Sequence, residues 1–402
     1  GDVYKRQVTK KIALPEINMN HPHNMWTDRT QSVIYQTQWF DETLAVFNRS
    51  TGEFIREVNV GPAPSHVMTN PATELVHVAQ NGGNNVRELN DLAGSGGKGP
   101  NEFIRDIPMS VKGHDVFTNA NPHGHWMSAD GAKMVTPNEN LGTSTVYNFP
   151  AGASEAVINV GAVPLATGMM PDSSKYYVAN FLGQSISVID MATNQVTKTI
   201  NLIEKYDPIG GCPGDPLTDA YLQWYRNLAG KDCSQVGGLP IQTPVSPDGT
   251  NMVTANTLTS TITVIDTATD TVVATLPCDP GCHGVQYGAK DMTGITPGTA
   301  GEYYAYVASK FSNALIVVDP DPNGDGNPAD AAIVGRILLG TNGAATTDTD
   351  PDTVIGNPGM GGQGVLAVPV PYKGWAQQWV ANCGTADCTT WKGQMTAGQK
   401  NP

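Results

Sequence analysis

Lys175-Tyr-Tyr-Val-Ala-Asn180, Ser185-Ile-Ser-Val-Ile-Asp190 and Gln195-Val-Thr-Lys-Thr-Ile200 follow one another across two short breaks, Phe181–Gln184 and Met191–Asn194. Each run is rich in β-branched and aromatic residues, and the breaks carry turn formers. The stretch therefore reads as three antiparallel strands. The same triplet recurs as Asn251-Met-Val-Thr-Ala-Asn256, Ser260-Thr-Ile-Thr-Val-Ile-Asp266 and Thr271-Val-Val-Ala-Thr-Leu276. It recurs again as Tyr304-Ala-Tyr-Val-Ala-Ser309, Ala314-Leu-Ile-Val-Val-Asp319 and Ala332-Ile-Val-Gly-Arg-Ile337. Asp190-Met-Ala-Thr193 and Asp266-Thr-Ala-Thr269 suit turns capped by the aspartate side chain. A fourth run precedes each triplet, as in Thr243-Pro-Val-Ser-Pro-Asp-Gly249. Four antiparallel strands in a repeated unit are a propeller blade.

Composition agrees. The chain has 402 residues, with 44 Gly and 29 Pro and only 15% charged residues, which suits frequent reversals rather than long helices. No apolar run is long enough for a membrane-spanning helix. Net charge is −14, and no Lys/Arg cluster offers a basic face, which disfavours nucleic acid.

Three looser units start near His21, His66 and His125. A seventh can be assembled from Gly364-Val-Leu-Ala-Val-Pro-Val370 and the C-terminal region, with Lys10-Lys-Ile-Ala-Leu14 as outer strand. The expected fold is all-β: a seven-bladed β-propeller of four-stranded antiparallel blades over residues 8–375, with six or eight blades as alternatives. Residues 203–238 form an insertion, with a helix expected over Leu217–Ala229, where Tyr221, Leu222, Tyr225 and Leu228 share a face. Residues 340–360 read as a linker and 376–402 as a disulfide-pinned tail. Gly1–Gln7 resembles one reading frame of a transposon-end sequencing adapter, and on that reading the native N-terminus and any signal peptide are expected to lie outside this sequence.

The phrases Tyr-Val-Ala-Asn and Val-Ile-Asp-x-Ala-Thr resemble the YVTN-type β-propeller family. The resemblance implies a fold and leaves activity open.

The six cysteines form three close pairs, Cys212 with Cys233, Cys278 with Cys282, and Cys383 with Cys388. Proximity in Gly- and Pro-rich contexts suggests disulfides, and hence the bacterial periplasm or cell exterior. Cys278-Asp-Pro-Gly-Cys282-His283 also resembles a haem c attachment motif with one extra residue between the cysteines, a reading held behind the disulfide.

Aligned on the second-strand asparagines, the blade heads are His23-Asn-Met25, His66-Val-Met68, His125-Trp-Met127, Thr167-Gly-Met169, Thr243-Pro-Val245 and His283-Gly-Val285. Four of these six positions are His, in a chain with eight His overall. First strands line a propeller axis, so these residues should converge at one mouth. His21 and His123 each lie two residues before another His, and alternation turns such pairs the same way. The expectation is one metal cluster of His21, His23, His66, His123, His125 and His283. Imidazole-rich sites suit copper, zinc, iron or nickel, with divalent copper highest in intrinsic affinity, and the absence of acidic neighbours disfavours magnesium or manganese. Met25, Met68 and Met127 could offer thioethers to monovalent copper but read first as core packing between blades. His77 reads as a strand residue, and His114 is unassigned. The arrangement is similar to the copper propellers of nitrous oxide reductase and thiocyanate dehydrogenase, although this chain offers fewer His and no cupredoxin domain.

Asp319, Asp321, Asn323, Asp325 and Asp330 sit at calcium-loop spacing, with Gly324 at the sharp turn. Their expected role is structural. Three functional readings follow: a copper-dependent oxidoreductase with a small-molecule substrate or redox partner protein, a non-catalytic copper-binding propeller, and a scaffold propeller without axial metal. A lactone-hydrolysing propeller is weaker, because its acidic metal cage is missing from the axial motifs.

Overall fold

The computed structural model describes residues 16–17, 21–28, 31–109, 119–204, 237–290, 302–339 and 362–368. Six sheets follow in chain order. Blade one holds β1 (Pro22–Thr27), β2 (Val33–Gln38), β3 (Thr43–Asn48) and β4 (Phe54–Asn59). Blade two holds β5 (Pro64–Thr69), β6 (Val76–Gln80), β7 (Asn85–Leu89) and β8 (Phe103–Pro108). Blade three holds β9 (Trp126–Met127), β10 (Lys133–Asn138), β11 (Thr143–Asn148) and β12 (Ala153–Asn159). Blade four holds β13 (Pro164–Met169), β14 (Lys175–Asn180), β15 (Ser185–Asp190) and β16 (Gln195–Asn201). Blade five holds β17 (Asn251–Asn256), β18 (Thr261–Asp266) and β19 (Thr271–Pro277). Its inner run bridges β17 at Pro240–Asn256 and Val245–Met252, with backbone hydrogen bonds such as Ile241 N–H to the Ala255 carbonyl at 3.0 Å. Blade six holds β20 (Cys282–Ala289), β21 (Tyr303–Ser309), β22 (Ala314–Asp319) and β23 (Ala332–Leu338).

Burial explains the composition of each strand. Val178, Ile186 and Val188 are fully buried, because the inner strands of a blade are covered on both faces by its neighbours. Thr197, Lys198 and Thr199 on the outer strand β16 are exposed. The register between third and fourth strands shifts once in every blade, a bulge that adds twist to the outer edge.

The expected seventh blade is corrected to six among the described residues. Gln363–Val368 joins no sheet. The neighbouring Gly361, Gly362, Gly364, Pro369 and Pro371 deny that stretch an uninterrupted ladder. The segment still reaches the axis. A Cβ on Gly284 would collide with the Gln363 carbonyl, and one on Gly364 would stand 2.7 Å from the His23 carbonyl. Lys10–Leu14, the helix expected over 217–229 and the 376–402 tail lie outside the described residues.

The hub is closed by such backbone contacts. Gly124 donates to the Leu165 carbonyl at 2.8 Å, and Thr167 donates back to the Gly124 carbonyl at 2.7 Å. At Gly168 a side chain would run into the Thr243 carbonyl of the next blade. Gly168→Ala should therefore destabilise the propeller by roughly 1–3 kcal/mol through overpacking. Urea unfolding measures this, and an unchanged midpoint would show that the hub yields without cost.

Candidate metal centre

Each inner strand starts opposite the end of its second strand. Pro22 faces Gln38, Pro64 faces Gln80, Pro122 faces Asn138, Pro164 faces Asn180, Pro240 faces Asn256, and Cys282 faces Ser309. Counting from these anchors revises the histidine register. His23, His123 and His283 are equivalent, each one residue past its anchor. His66 lies two residues past Pro64, and His125 three past Pro122. Each of the five proline anchors stands 16 residues before its strand-two partner, as Pro22 does before Gln38, and only Cys282 stands further, 27 before Ser309. The heads aligned from the sequence lie one to three residues past their anchors, and so out of register, although the hairpins of five blades match in length. The recurrent proline was the better marker.

A bulge follows each anchor. Three residues run from Pro22 to Met25 while the partner strand advances only from Gln38 to Gln36, and the same shift recurs after Pro64 and Cys282. The extra residue breaks strict alternation and re-aims its neighbours.

The three equivalent histidines share one device. His23 Nδ1 lies 2.9 Å from the Ser65 carbonyl, His123 Nδ1 3.0 Å from that of Leu165, and His283 Nδ1 3.2 Å from that of Gln363. Each ring leans on the next inner segment around the hub. A carbonyl only accepts, so Nδ1 carries the proton and Nε2 keeps its lone pair. His66 is held differently. Gln242 accepts from the Val285 amide at 2.7 Å, which turns its NH2 toward His66 Nε2 at 3.4 Å. Sequence reasoning missed Gln242, Ser65 and Leu165, because none carries a signal apart from the hub.

The rings converge. Centroids stand 5.1 Å apart for His23–His123 and His66–His123, 5.8 Å for His23–His66 and 6.1 Å for His23–His283. His21 is 6.2 Å from His23, at the outer edge. Two imidazoles bound at about 2 Å to one tetrahedral ion would have centroids roughly 5 Å apart. Among the described residues, no group of three or more His, Cys, Asp or Glu side chains is placed so that it could hold a metal ion, so the rings converge without forming the six-histidine cluster expected from the sequence. His125 leaves the group and lines an axial cavity further inside, together with His66.

Burial keeps these rings neutral. It drives His23 and His66 well below the usual imidazole value, helped by repulsion from neighbouring histidines. Burial lowers His123 as well. His125 falls to about 3 through burial and then His77, and His283 to about 3 through burial and then the Lys310 charge. His21 is lowered by burial and by Lys310.

Above the rings, Trp39 lies 4.8 Å from His23 and 6.0 Å from His123, and Phe40 lies 5.1 Å from His21. Phe40, Leu182, Leu258 and Phe311 occupy the same position in the second-to-third-strand turn, two residues past Gln38, Asn180, Asn256 and Ser309. They are 63%, 56%, 66% and 57% exposed, the four most exposed large apolar side chains described. The mouth thus carries an apolar rim.

Cys278 and Cys282 form a disulfide with Cα atoms 6.4 Å apart, which pins the chain immediately before His283. Cys212, Cys233, Cys383 and Cys388 lie outside the described residues, as does His114. His77 is a strand residue, buried and 2.9 Å from Glu88 Oε2.

The acidic loop after β22 is wound on itself. Asp321 accepts from the amides of Gly324, Asp325 and Gly326 at 2.8–3.1 Å. Lys290 Nζ lies 2.6 Å from Asp319 Oδ1 and 3.1 Å from the Asp321 carbonyl. Asn323 and Asp325 bond within the loop, and Asp330 ends a 3₁₀ turn. A lysine ammonium holds the charge expected of calcium.

No family model matches the chain, and no curated protein does. A solved structure of streptogramin B lyase is similar in fold, with a TM-score of 0.52 and 12% identity, over 75% of this chain and 80% of that one. Among the described residues, no helix is long and apolar enough to cross a membrane.

The pH dependence of stability follows from the neutral rings. In the unfolded chain imidazole titrates near 6.5, whereas His125 and His283 resist protonation to about 3. Between those values the unfolded chain binds more protons, so stability present above pH 6.5 is lost as pH falls. Each unit costs about 1.4 kcal/mol per group. Urea melts of the metal-free protein should show this slope, and His283→Phe should flatten it. A melt independent of pH across that window would contradict the neutral cluster.

Proposed function

We propose that the chain is an exported β-propeller that binds copper on its axis, through Nε2 of His23, His123 and His283 with His66 and His21 adjoining, and that it acts in copper-dependent redox chemistry or copper handling. The observation that carries this reading is the repeated device of the three equivalent histidines. Each donates through Nδ1 to a hub carbonyl and keeps its Nε2 lone pair for a ligand. Neutral imidazoles without a carboxylate favour copper over magnesium, manganese or calcium. Copper, when bound, supplies a one-electron couple. The protein's own residues orient the rings, exclude water by burial, and offer Trp39 and the apolar rim to a small molecule or a redox partner protein.

The Cys278–Cys282 disulfide supports a periplasmic or extracellular setting. The resemblance to YVTN-type and copper propellers belongs to the same reading. The lyase similarity is one of fold, so it lends no residue roles to this chain. Elemental analysis of the protein purified from copper-supplemented cells tests the proposal. Wild type should carry copper, and His123→Ala should lose at least roughly tenfold in copper affinity, in line with removing an ordered ligand. If the wild type takes up no copper, the scaffold reading replaces this one.

Calcium at Asp319, Asp321, Asn323, Asp325 and Asp330 is a second proposal. The ion would have to displace Lys290 from Asp319, so occupancy should raise the melting temperature by mass action. Added calcium should stabilise and a chelator should reverse it. Equal melts with and without calcium would leave the loop closed by Lys290 alone.

A further inference from the structure

Inside the channel, beyond the histidine ring, lies an axial cavity of about 30 Å³, room for roughly one or two water-sized occupants. His125 lines it at 1% exposure. Both its ring nitrogens are buried without a hydrogen-bond partner. The His77 and His123 carbonyls approach the ring without reaching hydrogen-bond geometry. A buried, unpaired imidazole is costly and calls for a ligand. Met68 lines the same cavity at 2% exposure. It belongs to the hydrophobic core between blades and lines the cavity from the same strand as His66, which sits in the bulge after Pro64. His125 comes from the adjacent blade.

We propose that His125 and Met68, with His66 above them, form a second metal site for a soft monovalent cation of the copper(I) or silver(I) class. The wall contains no carboxylate, lysine or arginine. A divalent ion buried there would lack charge compensation, and a monovalent ion carries a far smaller desolvation cost. Thioether sulfur and neutral imidazole are the soft donors such an ion prefers. Met25, two residues past His23, lines the cavity as a second thioether. The site differs from the ring of His23, His123 and His283 in its histidine, because His125 lines the cavity and those three do not. It does not depend on that ring being occupied.

Silver(I) tests it, being monovalent and redox-inert. Equilibrium dialysis of the oxidised full chain, with elemental counting, should show Met68→Leu binding one silver(I) fewer than wild type. Leu conserves volume, so folding should persist. His125→Phe should lose the same equivalent, while copper(II) uptake by the ring is unchanged in both variants. His123→Phe should do the reverse. X-ray absorption at the silver edge should show sulfur scattering that Met68→Leu removes. Disulfide and thiol binding is common to all variants and cancels in the difference. An equal silver count in wild type and Met68→Leu, with no change in sulfur scattering, would overturn the second site. Because the comparison is read with silver, it holds even if the wild type takes up no copper(II).

Discussion

The inner strands meet backbone to backbone around the axis, and that closeness governs the mouth of the channel. Where a neighbouring carbonyl presses on a strand, as at Gly168 and Gly284, no side chain fits. The strands answer with glycine and with an extra residue just past each anchor. In three places a histidine just past the anchor turns toward the axis, with a carbonyl of the next inner segment within reach of it. His23, His123 and His283 use that carbonyl in the same way. Ring orientation, tautomer and lone-pair direction thus descend from one steric constraint, repeated by rotation.

Electrostatics at the axis runs against the character of the whole molecule. The chain carries a net charge of −14, yet no carboxylate enters the axial cavity. The imidazoles are therefore neutralised by burial and not by partners. Protons are refused there, because several protonated rings at 5–6 Å would repel one another with little water between them. Lone pairs left over from that refusal are the chemical resource of the site. The acidic loop after β22 shows the opposite solution, in which Lys290 and backbone amides satisfy the carboxylates locally.

Much of the fold was legible because a blade is a local object. The triplet beginning at Lys175 contains its own strands, turns and Asp190 cap, and the hydrogen bonds of Asp190 to Ala192 and Thr193 stay within that turn. The same locality made the Cys278–Cys282 disulfide readable. The histidines were legible as a group, since residues that begin inner strands must meet. Their order was less so. His125 was expected beside His123 by alternation, and the bulge sent it inward. The seventh blade was expected from Gly364–Val370, and the described part of that stretch, up to Val368, joins no sheet.

Sequence alone determined the repeat, the strand order within a blade and the gathering of histidines at one end, because these depend on local β-propensity and on the rotational equivalence of repeats. Tertiary structure decided which nitrogen of each ring faces the axis, that Gln242 meets His66, and that Met68 and His125 share a cavity. Those outcomes depend on contacts between blades, set by the spacing of backbones around the hub. No pattern within a single strand encodes that spacing.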